Sequence, residues 1–197
     1  MVGILGAAVL VFALVAVPAG ADAQTRMDEV DGRSSSRQDE ARPAFAMFEG
    51  RTIDLSRDWG QARACLVWRE GGVLECFRNS EALDAREAEL GPRRKSSEPT
   101  SSVASYSYSC SSSFRLYEDN WYGGRRLSFW DRGYWQNLWN YGFEDRTSSY
   151  AVGACPVWLA EHGDGGGWWY PGPTYAYAGE PVMQWDWQDT ISSIYIG

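Results

Sequence analysis

The chain opens with one uninterrupted apolar run, and two polar stretches divide the rest into two segments in which apolar and polar positions alternate. The apolar run ends at Pro18 and is followed by Ala21-Asp22-Ala23, the small-residue pattern of a cleavage site. It is shorter than the roughly 20 residues that a membrane-spanning helix needs. Residues 1–23 are therefore predicted to be a signal peptide, and we expect a secreted, extracellular protein with no membrane association after cleavage.

The two polar stretches are predicted to lack a core. Residues 24–44 are rich in Ser, Arg, Asp and Glu, which is typical of a disordered tail. Residues 92–105 combine Pro, Ser and charge, which is typical of a linker. These stretches separate a small N-terminal unit, residues 45–91, from a larger C-terminal domain, residues 106–197.

The small unit has the pattern of a hairpin followed by a helix. Two β-rich runs, residues 64–68 and 73–77, flank a Gly-Gly turn. Residues 80–90 have a capping serine at Ser80, a content of Ala, Leu and Glu, and a stop at Gly91, which predicts a short helix. Fewer than about 50 residues bury little apolar surface, so we expect this unit to depend on a disulfide or to dock on its neighbour.

The C-terminal segment differs because its short apolar runs are punctuated by glycine and are rich in aromatic residues. Nine of the eleven Trp and all eleven Tyr lie within residues 106–197. This pattern predicts an all-β sandwich with an aromatic-rich core.

The same segment contains a two-fold repeat. The first part of the repeat recurs 43 positions later: Phe114, Leu116, Glu118 and Gly124 become Val157, Leu159, Glu161 and Gly167. The last part recurs 44 positions later: Asp145, Ser148, Ser149 and Gly153 become Asp189, Ser192, Ser193 and Gly197. Each copy has room for four strands with their turns, which predicts one unit over about residues 112–153 and a second over about residues 156–197.

At these positions the sequence resembles the βγ-crystallin superfamily. Tyr117, Tyr122 and Gly124 match the family's signature for a folded first hairpin, whose corner needs a backbone conformation that a Cβ atom would obstruct. In the second copy, Ala160 and Gly165 replace the two tyrosines. The resemblance implies an all-β, βγ-crystallin-like two Greek key β-sandwich, preceded here by a small disulfide-linked hairpin and a short helix.

Two short segments resemble the calcium motif of microbial members of this family, which has two Asn or Asp, two free positions, Ser or Thr, and Ser. They are residues 144–149 and 188–193, and they depart from the motif at their first positions, Glu144 and Gln188. Calcium is a hard cation that prefers oxygen ligands. The resemblance implies two calcium ions. One loop would supply the side chains of Asp145 and Ser148 with the Arg146 carbonyl, and the other would supply Asp189 and Ser192 with the Thr190 carbonyl. Glu118 and Glu161 stand where the family offers a main-chain carbonyl from the hairpin.

A purely structural interpretation of the two segments stays open. An Asp-x-x-Ser-Ser sequence can simply begin a strand, with the Asp accepting hydrogen bonds from turn amides and the Ser capping the ladder.

The cysteines are four, an even number, and disulfides are the default in an exported chain. Of the three possible pairings we favour Cys65 with Cys76 and Cys110 with Cys155, because each pair brackets one structural unit.

The charge of the chain argues against a nucleic-acid partner, which needs a stripe of Lys and Arg. The net charge is −8, and residues 101–197 contain ten acidic residues, five Arg and no Lys, giving 5 − 10 = −5. Such a surface suits cations better than phosphates.

No catalytic residue is assigned, because the single histidine, His162, has no Ser or Cys nucleophile in a recognisable setting. We therefore expect a non-enzymatic protein with a structural or interaction role. Residues 164–172, rich in Gly and Trp, either stack on sugars, for example on a cell-surface polymer, or complete the core. The alternative function is a secreted peptidase inhibitor with an extracellular peptidase as its partner, since small bacterial metalloproteinase inhibitors resemble this fold and carry two disulfides.

Overall fold

A computed structural model of the chain describes residues 43–97 and 110–197. The predicted signal peptide, all of the predicted tail except residues 43 and 44, residues 98–105 of the predicted linker and residues 106–109 of the predicted C-terminal domain lie outside the described residues. Within them, no helix is both long and apolar enough to cross a membrane.

The N-terminal segment forms four strands and one helix: β1 Phe45–Phe48, β2 Arg51–Asp54, β3 Ala64–Trp68, β4 Val73–Phe77 and α1 Ser80–Ser97. Strands β3 and β4 are antiparallel, with Cys65 directly opposite Cys76. These two residues form a disulfide, so the predicted hairpin and its bridge are confirmed.

The helix differs from the prediction at both ends. The Ala82 amide donates to Asn79 Oδ1 at 2.9 Å, so Asn79 caps the helix and the assignment of Ser80 as the cap was wrong. The predicted stop at Gly91 was also wrong, since α1 continues to Ser97 and into the predicted linker. A glycine ends a helix when it turns to a positive φ, and Gly91 does not.

The C-terminal segment forms seven further strands: β5 Phe114–Asp119, β6 Gly123–Phe129, β7 Trp135–Asn137, β8 Ser149–Ala151, β9 Val157–Ala160, β10 Gly179–Glu180 and β11 Ser193–Ile196. Strands β5 to β8 belong to the first copy of the repeat. The second copy has β9, an isolated bridge between Ala160 and Trp169, β10 and β11.

The two copies exchange their third strands. In the larger sheet, β10 of the second copy lies beside β8, followed by β5 and β6 of the first copy. In the smaller sheet, β7 of the first copy lies beside β11 and β9 of the second. The predicted two Greek key β-sandwich is confirmed, and the exchange means that neither copy completes its sheet alone.

The second disulfide joins the two segments that lead into the first strands of the two copies. Cys110 precedes β5 and Cys155 precedes β9, and both residues are buried. The favoured pairing of the cysteines is therefore confirmed in full.

The N-terminal segment continues the larger sheet. Strand β3 pairs in parallel with β6, which places Cys65 opposite Leu127. The sheet thereby reaches eight strands in the order β10-β8-β5-β6-β3-β4-β1-β2. The small unit thus docks on its neighbour as added strands, and the sheet runs without a break across the division drawn from the sequence.

Core packing crosses the same division. The Trp59 ring packs against Phe143 with centroids 5.7 Å apart, and its Nε1–H donates to the Tyr141 carbonyl at 2.7 Å. The buried Asp131 carboxylate accepts the main-chain amides of Arg69 and Glu70. A smaller cluster packs α1 against the other face of β3, using Ala64, Leu66, Trp68, Leu83, Leu90 and Trp130.

Candidate metal centre

The two motif segments of the repeat lie side by side. We name residues 144–149 loop 1 and residues 188–193 loop 2. The Asp145 amide donates to the Ile191 carbonyl at 3.1 Å, and the Asp189 amide donates to the Thr147 carbonyl at 3.0 Å. These equivalent bonds relate the loops by an approximate two-fold axis, and we refer to the line of contact between them as the seam.

The acidic and hydroxyl side chains of the motifs meet across the seam. Ser192 Oγ donates to Asp145 Oδ1 at 3.1 Å, and Ser148 Oγ donates to Asp189 Oδ1 at 3.1 Å. The sequence analysis grouped Asp145 with Ser148 and Asp189 with Ser192, within one loop each. The structure instead pairs each Asp with the first Ser of the other loop.

Both aspartates have a left-handed backbone, with φ of 51° at Asp145 and 54° at Asp189. Asp and Asn tolerate this conformation better than most residues. Both carboxylates are exposed, whereas Ser148 and Ser192 are buried. At each of two positions, the loops therefore place one exposed carboxylate next to one buried hydroxyl.

The second serine of each motif, Ser149 or Ser193, contacts a hairpin instead of the other loop. Ser149 Oγ donates to the Asp119 carbonyl at 2.6 Å and accepts the Tyr122 amide at 3.1 Å. Ser193 Oγ donates to the His162 carbonyl at 2.5 Å and accepts the Gly165 amide at 3.0 Å. Each of these serines fastens the folded hairpin of its own copy to the sheet.

The two hairpins have the same backbone despite different side chains. Trp121 and Tyr122 have positive φ in the first hairpin, as do Asp164 and Gly165 in the second. In the first, the Tyr117 and Tyr122 rings pack edge to face at 5.3 Å. In the second, which lacks this pair, Trp135 from β7 occupies the space, since a Cβ on Gly165 would lie 2.3 Å from the Trp135 ring.

The hairpin carboxylates have unequal surroundings. Arg125 donates to both Glu118 oxygens, at 2.6 and 2.9 Å, and Arg146 approaches Glu118 Oε1 at 3.3 Å. The hydrogen bond from Arg125 is the main cause that lowers the pKa of Glu118 to about 2, and the charges of Arg125 and Arg146 act in the same direction. Glu161 instead accepts the Trp168 amide at 3.2 Å.

Each half of the seam adjoins one hairpin. The Ser148 amide donates to the Tyr117 carbonyl at 3.0 Å, and the Ser192 amide donates to the Ala160 carbonyl at 3.0 Å. One half-site therefore combines Ser148, Asp189 and the hairpin at Glu118. The other combines Ser192, Asp145 and the hairpin at Glu161.

The oxygen atoms at the seam suit a hard cation. Two ligands on one calcium ion, each at about 2.3–2.6 Å, lie roughly 3 Å apart, close to the 3.1 Å between each Asp oxygen and its Ser oxygen. Among the described residues, no group of three or more His, Cys, Asp and Glu side chains is placed to hold a metal. An ion at the seam would therefore depend on hydroxyls, main-chain carbonyls and water as well as on one carboxylate.

The remaining loop ligands predicted from the sequence are the main-chain carbonyls of Arg146 in loop 1 and Thr190 in loop 2, and the side chains of these residues have other contacts. The Arg146 side chain is half exposed and turned toward Glu118. Thr190 Oγ1 donates to the Gln188 carbonyl at 3.1 Å, and this hydrogen bond stabilises the conformation of loop 2. Thr147, which the sequence analysis did not consider, has a buried hydroxyl with no hydrogen-bond partner, where the second copy has the apolar Ile191.

Comparisons with known proteins found no matching family model and no matching curated protein. Similar solved structures are a βγ-crystallin from Ciona intestinalis, with 21% identity and a TM-score of 0.36, and a βγ-crystallin domain from Clostridium beijerinckii, with 25% identity and a TM-score of 0.34. A third is the N-terminal domain of protein S, with 16% identity and a TM-score of 0.36. Each match covers 43 or 44% of this chain and 95 to 99% of the other chain.

The exchanged strands, the serine-fastened hairpins and the paired loops define residues 110–197 as a βγ-crystallin-like domain. The predicted resemblance is confirmed at the level of the fold.

Proposed function

We propose that this protein is a secreted, non-enzymatic βγ-crystallin-like module that binds two calcium ions at the seam. The observation that carries the proposal is the pair of crossed contacts, Asp145 with Ser192 and Asp189 with Ser148. Each contact brings together oxygen atoms from two loops that are more than 40 residues apart in the chain. A cation at either position would bind both loops at once.

The role of the ions would be structural. Loop 1 leads into β8 and loop 2 leads into β11, and these strands lie in opposite sheets. An ion held by both loops would therefore stabilise the packing of one copy on the other. A ligand that binds only the folded state at 100 times its dissociation constant adds about 2.7 kcal/mol to the free energy of unfolding. We expect calcium to raise the melting temperature by several degrees.

Export is supported by the apolar run that ends at Pro18, by the small-residue cleavage pattern that follows it, and by the two disulfides, which persist in oxidising compartments. The intact mass of protein recovered from the culture medium tests this part of the proposal. A mass that retains residues 1–23 contradicts it. No contact in the described residues favours the peptidase-inhibitor alternative.

Isothermal titration and thermal melting with calcium test the metal proposal. Asp145→Gly with Asp189→Gly removes both carboxylates, and Gly adopts the left-handed backbone of these two positions readily. This double variant should lose the calcium-dependent shift, whereas Asn at the same positions still fits the motif. Glu81→Gln removes an exposed carboxylate on α1 and should keep it. Magnesium should stabilise less, because it demands octahedral geometry and releases its water reluctantly.

Absence of both heat and a melting shift at about 10 mM calcium contradicts the proposal, since extracellular calcium modules have dissociation constants of roughly 10⁻⁴ to 10⁻³ M. Equal shifts in the wild type and in the double Gly variant would place the binding elsewhere.

A further inference from the structure

A cavity of about 400 Å³ lies beside the second hairpin. One wall comes from the hairpin, with Glu161, Trp168, Trp169 and Pro171, and the other from the approach to loop 2, with Asp186, Trp187 and Thr190. The sequence analysis marked residues 164–172 as a possible sugar platform but gave no role to Asp186 or Trp187. Ala160 brings the hairpin and loop 2 together. It forms a β-bridge with Trp169 of the hairpin, and its carbonyl accepts a hydrogen bond from the Ser192 amide of loop 2.

Two of the three indole rings of the pocket are fixed by contacts with residues outside the pocket lining. Trp169 Nε1–H donates to the Gly165 carbonyl at 2.9 Å, and its ring packs on Trp135 with centroids 5.8 Å apart. Trp187 packs edge to face on Tyr170 at 5.4 Å. Nevertheless, Trp169 is 53% exposed and Trp168 is 79% exposed. The pocket therefore offers accessible aromatic faces whose positions are largely set before a ligand arrives.

All the charged side chains that line the pocket are negative. Its lining contains two carboxylates, Glu161 and Asp186, and no Lys, Arg or His. Neither carboxylate takes part in an ion pair within residues 43–97 and 110–197. Oε2 of Glu161 accepts the Trp168 amide, which orients that carboxylate on the hairpin. Both charged side chains of the pocket lining are therefore negative.

We propose that this pocket binds an organic cation, a positively charged nitrogen that carries apolar substituents. The faces of Trp rings attract such a cation through their quadrupole, and the attraction grows when the cation is partly desolvated. The two carboxylates add Coulomb attraction, which a neutral sugar would not use. A bare metal ion would in turn leave the indole faces unused, so the combination of three Trp and two carboxylates selects a nitrogen cation with an apolar surface.

This pocket is distinct in chemistry from the seam, although Glu161 and Thr190 adjoin both. The binding experiment is therefore done on the whole mature protein in a buffer with a chelator and no calcium. A failure of calcium binding then leaves this test unaffected, and a failure here leaves the calcium proposal unaffected.

The test compares choline with 3,3-dimethyl-1-butanol, an uncharged molecule of the same shape, by ligand-observed NMR and tryptophan fluorescence. Choline should bind at least about 10-fold more tightly, since the two probes differ only in the charge on the central atom. Methyl glucoside is the third probe and should bind no better than the neutral alcohol.

Two variants test the pocket itself. Trp168→Ala removes one aromatic face and Asp186→Asn removes one charge without changing shape; each should weaken choline binding by about 5-fold. Trp185→Ala is the matched control, because Trp185 is 87% exposed, lies next to Asp186 in the chain and does not line the pocket. It should bind choline as the wild type does. Should Trp168→Ala fail to fold, Asp186→Asn carries the test.

Three results overturn the proposal: no choline binding at about 100 mM, equal binding of choline and its uncharged counterpart, or tighter binding of methyl glucoside than of choline. The last result would identify the pocket as a sugar platform. Loss of choline binding in Trp185→Ala to the same extent as in Trp168→Ala would also overturn the assignment to this pocket.

Discussion

The Arg126 guanidinium on β6 donates to the Asp84 carboxylate on α1 at 2.7 Å, although the Arg126 side chain is only 2% exposed. It also contacts the buried Glu87 at 3.3 Å and the Ser128 hydroxyl at 2.9 Å. A buried guanidinium needs such partners, because desolvating an unpaired charge is costly. Since α1 belongs to the N-terminal segment and β6 to the first Greek key, these contacts fasten one to the other.

Arg126→Met tests this fastening. The change removes the guanidinium nearer to the buried Glu87 carboxylate and leaves Arg115, whose nitrogen lies 3.6 Å from Glu87 Oε2. We therefore expect it to lower the free energy of unfolding by about 3 kcal/mol, the lower end for a broken buried pair. Denaturant unfolding measures the loss. Arg57→Met is the control, since Arg57 pairs with Asp54 but its side chain is 86% exposed, and such surface pairs contribute about 0–1 kcal/mol. Equal losses in the two variants would contradict the role given to Arg126.

Removal of the N-terminal segment should destabilise the crystallin-like domain. Residues 103–197 expressed alone would expose the edge of β6 and the face of Phe143 that Trp59 covers. We expect this fragment to have a lower melting temperature than the mature chain and to aggregate, because an unpaired flat strand edge invites pairing with another chain. Circular dichroism and light scattering measure both. If the fragment is as stable and as monomeric as the mature chain, the N-terminal strands do not stabilise the crystallin-like domain and this prediction is wrong.

The second serine of each motif should matter for stability even without calcium. Ser149→Ala and Ser193→Ala each leave a hairpin amide and a carbonyl without their partner hydroxyl. The expected loss is about 1–3 kcal/mol for each variant. Ser111→Ala, at an exposed position, should change the free energy of unfolding by less than about 0.5 kcal/mol. Measurements in a chelator separate this effect from metal binding, and a loss that appears only with calcium would make these serines ligands instead.

Acid should weaken the first hairpin through Glu118. The hydrogen bond from Arg125 lowers the folded-state pKa of Glu118 to about 2, below its ordinary value of 4.5. A lowered folded-state pKa contributes stability that is complete above the unfolded pKa and is lost as the pH falls through 4.5 toward 2. The wild type should therefore lose more stability than Glu118→Gln between about pH 5 and pH 2. Parallel pH profiles of the two proteins would contradict the assignment.

The two proposed calcium positions should differ in affinity. Arg125 and Arg146 make the surroundings of Glu118 less negative, whereas Glu161 has no Arg within the same reach among the described residues. The half-site with Asp145 and Ser192 should therefore bind more tightly than the one with Asp189 and Ser148. In calcium titrations, Asp145→Gly should remove the tighter step and Asp189→Gly the weaker one, because Gly offers no side-chain oxygen.

Removing the nearby positive charge gives the complementary test. Arg146→Gln should raise the affinity of the weaker step several-fold, because a positive charge within a few ångström opposes a second cation. Arg57→Gln should leave both steps unchanged. An effect of Arg146→Gln on the tighter step alone would reverse the assignment of the two half-sites.

Much of this protein follows from its sequence because the relevant signals are local or periodic. The repeat, spaced by 43 and 44 residues, predicted two equivalent units, and Gly124 with Gly167 marked the folded hairpins, where positive φ values are required. The Cys65–Cys76 bridge followed from a hairpin whose turn fixes the register. The end of α1 was misplaced because a glycine stops a helix only when its φ turns positive.

The tertiary structure alone decided how these units meet. Parallel pairing of β3 with β6, the exchange of β7 and β10, and the crossed contacts of Asp145 and Asp189 all join segments far apart in the chain. Such pairings are set by which surfaces pack best once all strands are present, and they leave no short pattern in the sequence. For the same reason the motif residues could be predicted as a set, but only the folded chain determines that each carboxylate faces the hydroxyl of the other loop.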